Sequence, residues 1–227
     1  MKSKQPPGLG LRERHKLEKR QRIRAAVRDL FSKHGYETAT LRQIALRAHV
    51  GLGTLFNYAQ DKRDLVFLIF NEELAAVTEE AVEAAQAQEG LLEQLLGLCR
   101  PHYKFFARNP ALSRILLKDM TFYSEGKQAA EFLRIRGRLL FAIEEVVRGA
   151  QRNGEVRSLE DARRIANSVF FVFAGALRWW IAERKPDPKK GLAEVRRLFE
   201  LLIDGLGASP AAGTSSAGPA RISAAWR

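Results

Sequence analysis

Side chains that can hydrogen-bond to bases and phosphates are concentrated in the first quarter of the sequence. Thr54, Asn57 and Tyr58 lie within five consecutive positions, and Lys62 follows one helical turn later. Hydroxyl and amide groups can pair with base edges, and an ammonium group pairs with phosphate. This spacing indicates contact with DNA, provided that one short helix carries the first three residues.

Two glycines, Gly51 and Gly53, flank Leu52 just before these side chains. A helix that enters the major groove by its N-terminus needs small residues where its backbone approaches the DNA. We therefore expect the glycines to allow that approach and Leu52 to touch a thymine methyl group. Thr40 begins an earlier short helix, whose N-terminal amides would face a phosphate.

Three helices are expected to position these residues. Apolar residues recur every three or four positions over 14–34, which predicts a first helix that ends at Gly35. Thr40 and Gln43 have the spacing of a capping box, which starts a second helix of about nine residues. A third helix is expected over about 52–58. Two short helices joined by a tight turn are typical of a helix-turn-helix reader of the major groove.

The rest of the chain is also predicted to be helical, because strand-like alternation is almost absent. Asp61 can cap a long fourth helix that runs to about residue 88. The expected fold is all-α, with an N-terminal three-helix DNA-binding domain, a C-terminal helical domain and about nine helices in total. The later helices are expected over about 91–108, 110–120, 125–153, 159–184 and 189–205.

Charge is distributed unevenly along the 227 residues. Residues 1–64 hold 15 Lys and Arg against 6 Asp and Glu, whereas residues 65–207 hold 21 against 20. The net charge of +12 therefore comes mainly from the first domain, which predicts a polyanionic partner there. The basic residues of the first helix could instead form an ordinary solvated face, and those before it a minor-groove arm or a solubilising tail.

Catalytic and metal-binding motifs are absent from the sequence. It has none of the common nucleophile-elbow, phosphate-loop, zinc-protease or dinucleotide signatures, and its four histidines are far apart. The single cysteine, Cys99, lies in an apolar stretch and is expected to be a small buried residue. We therefore expect no enzyme activity, no cofactor and no metal.

Composition gives the expected domain boundaries. A flexible basic arm is predicted over 1–13, the DNA-binding domain over 14–64, the second domain over 65–207, and a disordered tail over 208–227, which is rich in Ala, Ser, Gly and Pro. No apolar run approaches the roughly 20 residues of a membrane span, and no signal peptide is visible. We expect a cytoplasmic protein with no membrane partner, associated with the nucleoid when it is bound to DNA.

Apolar residues have heptad spacing in the last two predicted helices. Two such stripes suit a helical seam, either between two copies of the chain in a four-helix interface or within the core of one chain. Spacing alone leaves both alternatives open. The interface candidates are Ile165, Val169, Val172, Ala176 and Trp179 on one helix, and Leu192, Val195, Phe199, Leu202 and Leu206 on the next.

The run from Gly35 to Lys62, GYETATLRQIALRAHVGLGTLFNYAQDK, resembles the DNA-binding signature of TetR-family transcriptional regulators. The resemblance covers roughly residues 14–68, and the later helices match the family only in number, length and order. It implies a sequence-specific homodimer, usually a repressor, that leaves a palindromic double-stranded operator when a small lipophilic ligand enters the C-terminal ligand-binding and dimerisation domain. The DNA contacts that it implies are Thr40, Arg42, Gln43, Leu52, Thr54, Asn57, Tyr58 and Lys62.

A ligand cavity among the fourth to eighth helices is a further implication of the resemblance. The second domain is rich in aromatic residues, which favours a lipophilic ligand. Histidine and arginine side chains would orient its acid or carbonyl group. The lining candidates are His102, Phe105, Phe106, Phe122, Tyr123, Phe132, Arg136, Phe170, Phe173 and Arg178.

Three positions depart from the usual family pattern. His49 stands where glycine is common in the turn, although histidine tolerates a positive φ better than most residues. Gly51 replaces the usual serine cap of the third helix. Ala59 stands where an aromatic residue normally packs under the fourth helix. The smaller side chain is expected to hold the third helix less rigidly. A non-specific or architectural DNA-binding protein is therefore an alternative, as is a helical small-molecule-binding protein or enzyme.

Overall fold

The computed structural model describes residues 10–207; residues 1–9 of the predicted arm and the predicted tail at 208–227 lie outside the described residues. Within that range every element of regular secondary structure is an α-helix, which confirms the all-α expectation. No helix there has both the length and the apolar character needed to cross a bilayer. In chain order the helices are α1 (Leu11–His34), α2 (Leu41–Arg47), α3 (Leu52–Phe56), α4 (Lys62–Gln86), α5 (Leu91–Ala107), α6 (Pro110–Met120), α7 (Ala129–Arg152), α8 (Ala162–Ile181) and α9 (Pro188–Gly207).

Local sequence signals set the ends of α1 and α2. Gly35 terminates α1 with a φ of +82°, a conformation that favours glycine, and its amide donates to the Phe31 carbonyl. The predicted capping box begins α2. Thr40 Oγ1 accepts from the Gln43 amide at 3.2 Å, and Gln43 Oε1 accepts from the Thr40 amide at 2.9 Å. The direction in which the chain enters α2 is therefore fixed by two reciprocal bonds.

The turn between α2 and α3 contains His49 at a φ of +53°. This agrees with its place at a position where glycine is common, since histidine tolerates a positive φ better than most residues. Leu55 is fully buried in the hydrophobic core, and α3 packs against α2. The helix ends at Phe56, before the expected residue 58, because the amides of Asn57 and Tyr58 bond to carbonyls three residues back. Such bonds tighten the last turn of a helix.

α4 is shared by the two domains. It packs against α1 on one side and against α5 and α7 on the other. Arg28 of α1 donates to the Ile69 carbonyl at 2.8 Å and pairs with Glu73. Arg24 pairs with Glu72. Part of the basic surface of α1 is thus used to hold α1 on α4, so it is not all available for DNA.

An aromatic cluster lies at the centre of the second domain. The ring centroid of Tyr103 lies 4.8 Å from that of Trp180 and 6.2 Å from that of Phe173. Gly191 lets α9 approach this cluster, because a Cβ atom there would lie 2.7 Å from Tyr103 Cδ1 and 2.8 Å from Trp180 Cδ1. The packing of α9 on α5 and α8 therefore depends on a glycine at this position.

The heptad residues of α8 and α9 divide between the core of the chain and its surface. Ile165, Val169, Val195 and Phe199 are buried within the single described chain, so they have no surface left for a partner. For these four positions the interface prediction is wrong, and the intrachain core is the correct alternative. Trp179, by contrast, is 83% exposed. Val172, Ala176, Leu192 and Leu202 are half-buried, and Leu206 lies outside the residues whose side chains are described.

Replacing Gly191 by alanine is expected to destabilise the protein by about 1–3 kcal/mol, because the added methyl group would overlap the rings of Tyr103 and Trp180. Urea unfolding followed by circular dichroism measures the change. Gly137→Ala is the matched control: its Cβ atom would meet no atom within 4 Å, and alanine stabilises a helix relative to glycine by up to about 1 kcal/mol. Equal stability of the two variants would contradict the packing described for α9.

Candidate functional site

The side chains predicted to contact DNA differ in their exposure. Arg42 and Asn57 are exposed, as are Thr40 and Gln43 of the capping box. Thr54 is half-buried. It borders a surface cleft together with Asn57, Tyr58 and four basic residues of α1, namely Arg12, Lys16, Lys19 and Arg20. The exposed end of α3 and the basic residues of α1 thus lie along one cleft, as an interface with a polyanion requires.

The backbone at the start of α3 is open. A Cβ atom at Gly53 would meet no atom within 4 Å, so packing inside the chain does not require glycine there. Leu52 is half-buried, with part of its side chain packed against the core. This arrangement suits the predicted close approach of α3 to DNA, with the free part of Leu52 directed outward.

Lys62 has a role that sequence reasoning missed. Its Nζ donates to the carbonyl oxygens of Tyr36 and Glu37, both at 2.9 Å, and lies 4.9 Å from the centroid of the Tyr36 ring. The ammonium group therefore holds the turn between α1 and α2 against the start of α4. A phosphate contact by Lys62 stays a prediction, and it would use the remaining hydrogen of an ammonium group that is already held in place.

Tyr58 joins α3 to two other parts of the chain. Its hydroxyl donates to the Lys16 carbonyl of α1 at 3.2 Å. Its own carbonyl accepts from Gln128 Nε2, at 2.8 Å, at the start of α7. These bonds hold the end of α3 beside Ala59, the position where the family usually has an aromatic residue. The expected loosening at Ala59 is thus opposed by bonds from α1 and from the second domain.

The carboxylate of Asp64, in the first turn of α4, is fully buried and gathers groups from both domains. It accepts from the Gln60 amide at 2.9 Å, the Lys127 amide at 2.9 Å and the Gln128 amide at 3.0 Å. The Tyr123 hydroxyl donates to it as well. These five residues are called the Asp64 clasp below. It connects residues 121–128, between α6 and α7, to the end of the DNA-binding domain.

The clasp explains why α7 begins at Ala129 and not at the expected residue 125. Gly126 has a φ of +135°, and a Cβ atom there would lie 2.8 Å from Asp64 Oδ1. Only glycine lets the chain pass so close to the carboxylate. The segment before α7 therefore folds around Asp64, and the helix starts after it.

Three residues predicted to line the cavity lie elsewhere. Tyr123 stacks on Phe67 with ring centroids 3.6 Å apart and belongs to the Asp64 clasp, where burial raises the pKa of its hydroxyl. Phe105 is buried against Phe70, with ring centroids 6.0 Å apart. Phe122 is 83% exposed. Folding of residues 121–128 around Asp64 turns Tyr123 away from the cavity and Phe122 toward solvent.

A cavity of about 230 Å³ lies among α4 to α8, as the family resemblance implied. The predicted residues that line it are His102, Phe106, Phe132, Arg136, Phe170, Phe173 and Arg178. The prediction missed Phe171 and the non-aromatic apolar and small polar lining, whose residue types are also typical of a helical core. The missed residues are Leu74, Thr78, Leu117, Met120, Thr121, Ile135, Leu139, Phe171, Ala174 and Leu177.

Two arginines give the cavity a positive side. Arg178 donates to the Ala174 carbonyl at 3.0 Å and to Thr121 Oγ1 at 2.9 Å, and burial lowers its pKa. Arg136 lies over the Phe132 ring, 5.7 Å from its centroid. Neither guanidinium forms an ion pair with a carboxylate of residues 10–207. An anionic group could therefore bind there without competing with an internal carboxylate.

Cysteine and metal-ligating side chains are the other potentially reactive groups of residues 10–207. Cys99 is buried, and burial raises the pKa of its thiol, which disfavours the reactive thiolate. Among residues 10–207, no three His, Cys, Asp or Glu side chains are grouped so that they could hold a metal ion.

Comparison with known proteins shows which family profile, curated protein and solved structures this chain is similar to. Residues 23–69 match the family profile described as bacterial regulatory proteins, tetR family. The HTH-type transcriptional repressor KstR of Mycobacterium tuberculosis is 27% identical over 167 residues, which are 74% of this chain and 73% of that protein. FadR of Bacillus subtilis, solved in complex with stearoyl-CoA, aligns with a TM-score of 0.64 at 19% identity, over 82% of this chain and 98% of that one. AibR, solved with isovaleryl coenzyme A and operator DNA, aligns with a TM-score of 0.56 at 21% identity, over 80% and 97%.

The first three helices form a small domain with an exposed polar end on α3, and the helices of the second domain enclose a cavity. This combination is that of a helix-turn-helix DNA-binding regulator. The profile match and the similar proteins agree with the signature between Gly35 and Lys62. Residues 23–69 therefore carry the DNA-binding domain described for the tetR family of bacterial regulatory proteins.

Gln128→Ala is expected to weaken binding to a specific DNA site by roughly 2- to 10-fold, because one lost hydrogen bond costs about 0.5–1.5 kcal/mol and this one holds the end of α3. Affinity for mixed-sequence DNA, which depends on phosphate contacts, should stay unchanged. Fluorescence anisotropy with the two kinds of duplex measures both affinities.

Gln151→Ala is the matched control for this measurement. Gln151 also donates to backbone carbonyls, those of Ser158 and Glu160, but it lies near the other end of α7. Its loss should leave both affinities unchanged. Equal losses of specific affinity in the two variants would contradict a positioning role for Gln128.

Proposed function

We propose that this protein is a homodimeric repressor that binds a palindromic operator and leaves it when a lipophilic, anionic small molecule enters the cavity. The observation that carries the proposal is the Asp64 clasp, which joins the segment beside the cavity to the end of the DNA-binding domain. Such a regulator would act in the cytoplasm, where bacterial operator DNA is found, and no catalytic step is part of the proposal.

The reading surface supports the DNA-binding half of the proposal. Arg42 and Asn57 are exposed, and Thr54 borders the cleft that also contains basic residues of α1. The two DNA-binding domains of a dimer can contact successive major grooves when their α3 helices lie about 34 Å apart. An operator with two-fold symmetry follows from the symmetry of the dimer.

The surface of α8 and α9 supports dimer formation. Trp179 is 83% exposed and Leu201 is 70% exposed, although large apolar side chains of a helical bundle are usually buried. Gly175 is exposed one turn before Trp179, which would let another helix approach closely. We propose that these residues, with the half-buried Val172, Ala176, Leu192 and Leu202, meet their copies in a four-helix interface.

The cavity supports a ligand with an apolar body and an acidic group. Most of its lining is aromatic or aliphatic, and Arg136 and Arg178 supply positive charge. FadR of Bacillus subtilis was solved with stearoyl-CoA and AibR with isovaleryl coenzyme A. An acyl-coenzyme A thioester, whose acyl chain is apolar and whose coenzyme A part carries anionic phosphates, is therefore the leading class of ligand for this chain.

The clasp provides a route from ligand to DNA. Met120 and Thr121 line the cavity, and the chain continues from them directly into the clasp. A ligand anion that withdraws Arg178 from Thr121 would favour a displaced position of residues 121–128. Because Gln128 bonds to Tyr58, that displacement would alter the end of α3. The ligand can shift the equilibrium only by its difference in affinity for the two states.

Selection and sequencing of random duplex DNA on the purified protein tests the proposal. Enrichment of a two-fold symmetric site is expected at near-physiological salt. Salt-sensitive binding without an enriched site would overturn operator recognition and favour an architectural DNA-binding protein. Ligand binding without any DNA binding would favour a small-molecule-binding protein.

Arg42→Gln tests the phosphate contact on α2. If Arg42 neutralises one phosphate, its loss should reduce the slope of log affinity against log salt concentration by about 0.9. Titrations of the selected duplex at several salt concentrations measure the slope. Arg108→Gln is the matched control, because Arg108 is also exposed but lies at the end of α5, in the second domain. Unchanged slopes in both variants would show that Arg42 does not neutralise a phosphate of the bound DNA.

Trp179→Glu is expected to weaken dimerisation by at least about tenfold, because it would place an unpaired carboxylate in an apolar interface. Sedimentation velocity over a range of concentrations gives the dissociation constant. Leu159→Glu is the control, since Leu159 is a fully exposed leucine on the connection between α7 and α8. A Trp179→Glu protein that stays as dimeric as the control would place the interface elsewhere.

A further inference from the structure

The buried end of the cavity contains two polar groups that the proposed function leaves unexplained. His102 is 4% exposed and Thr78 is 2% exposed, and both line the cavity. Their neighbours in the lining include Leu74 and Phe106, which offer no hydrogen bond. Arg136 and Arg178 are half-buried, and Thr121 is exposed, so the donors of the lining lie toward its open side.

Local contacts determine which hydrogen-bonding role His102 plays. Its Nδ1 lies 2.8 Å from the Leu98 carbonyl, which can only accept, so Nδ1 carries the proton. Burial lowers the pKa of His102 to about 4, so the ring is neutral at pH 7. Nε2 is then an acceptor, and no group of residues 10–207 donates to it. An edge contact with Phe173, with ring centroids 5.7 Å apart, holds the ring in place.

Thr78 is an acceptor toward the cavity for a similar reason. Its hydroxyl donates to the Leu74 carbonyl, one turn earlier on α4, at 2.8 Å. That bond uses the only hydrogen of the hydroxyl, so only the lone pairs of Oγ1 are left for a ligand. The buried end therefore offers two acceptors, and none of its other lining side chains can donate to them.

We propose that the ligand carries a hydroxyl group at its buried end, which donates to His102 Nε2 and lies beside Thr78 Oγ1, while its anionic group binds Arg136 and Arg178. This inference rests on the proposed function and narrows its ligand to a hydroxylated acyl or aromatic anion. A volume of about 230 Å³ favours a short chain or a single ring. Pockets for drug-sized ligands are usually larger, at about 300–1,000 Å³.

Two pairs of probes test the proposal: octanoyl-CoA with 8-hydroxyoctanoyl-CoA, and octanoate with 8-hydroxyoctanoate. Calorimetry gives their affinities, and release of the selected duplex gives their effect on DNA binding. In the wild-type protein the hydroxylated member of a pair should bind about tenfold more tightly, because it satisfies a buried acceptor. The thioester pair and the acid pair distinguish the two sources of the anionic group.

Variants of the two acceptors should remove the preference without removing binding. In His102→Leu the two members of a pair should bind equally, and His102→Gln, whose amide oxygen can accept, should restore part of the difference. Thr78→Val, a nearly isosteric change, should reduce the preference even if the His102 variants fold poorly. Ile135→Val is the matched control in the lining and should leave the preference unchanged.

The outcomes separate this inference from the proposed function. Equal affinity of both members for the wild-type protein would overturn the hydroxyl preference, while release of DNA by either would still support a ligand-responsive regulator. A preference that survives in both His102→Leu and Thr78→Val would also overturn it. Failure of all four probes to bind would overturn the proposed ligand class, and the hydroxyl preference with it.

Discussion

A buried carboxylate is tolerated only when hydrogen bonds and favourable dipoles replace its lost hydration. Asp64 meets this condition through three backbone amides and one tyrosine hydroxyl, and through its place in the first turn of α4, where the helix dipole favours negative charge. Two of those amides belong to Lys127 and Gln128, in the second domain. The charge of Asp64 can therefore stay buried only while residues 121–128 remain folded against the DNA-binding domain.

The parts of the fold that depend on neighbouring residues could be predicted from the sequence. Gly35 ends α1, Thr40 and Gln43 form the capping box, and His49 adopts a positive φ, because each of these features is decided within a few residues. The start of α7 could not be predicted in this way. It depends on Asp64, more than fifty positions earlier, and helical periodicity carries no information about such a partner.

The candidate sites show the same division between local and long-range information. Spacing alone could not tell that Ile165 and Val169 face the core of the chain while Trp179 faces outward, since all three belong to one heptad stripe. In the cavity, aromatic composition indicated residues such as Phe132 and Phe173 but also Tyr123, which the clasp removes from the lining. Which aromatic residues face the cavity depends on packing between helices.

The central claim is that the Asp64 clasp couples residues 121–128, beside the cavity, to α3. Hydrogen exchange of the Asp64→Asn protein tests this claim most directly. Asparagine keeps the size of the side chain but removes its charge and one acceptor oxygen. If the claim is right, amide exchange becomes faster both in residues 121–128 and in residues 52–61, while α9 is unchanged. Faster exchange confined to residues 121–128, with the α3 region as protected as in the wild-type protein, would contradict it.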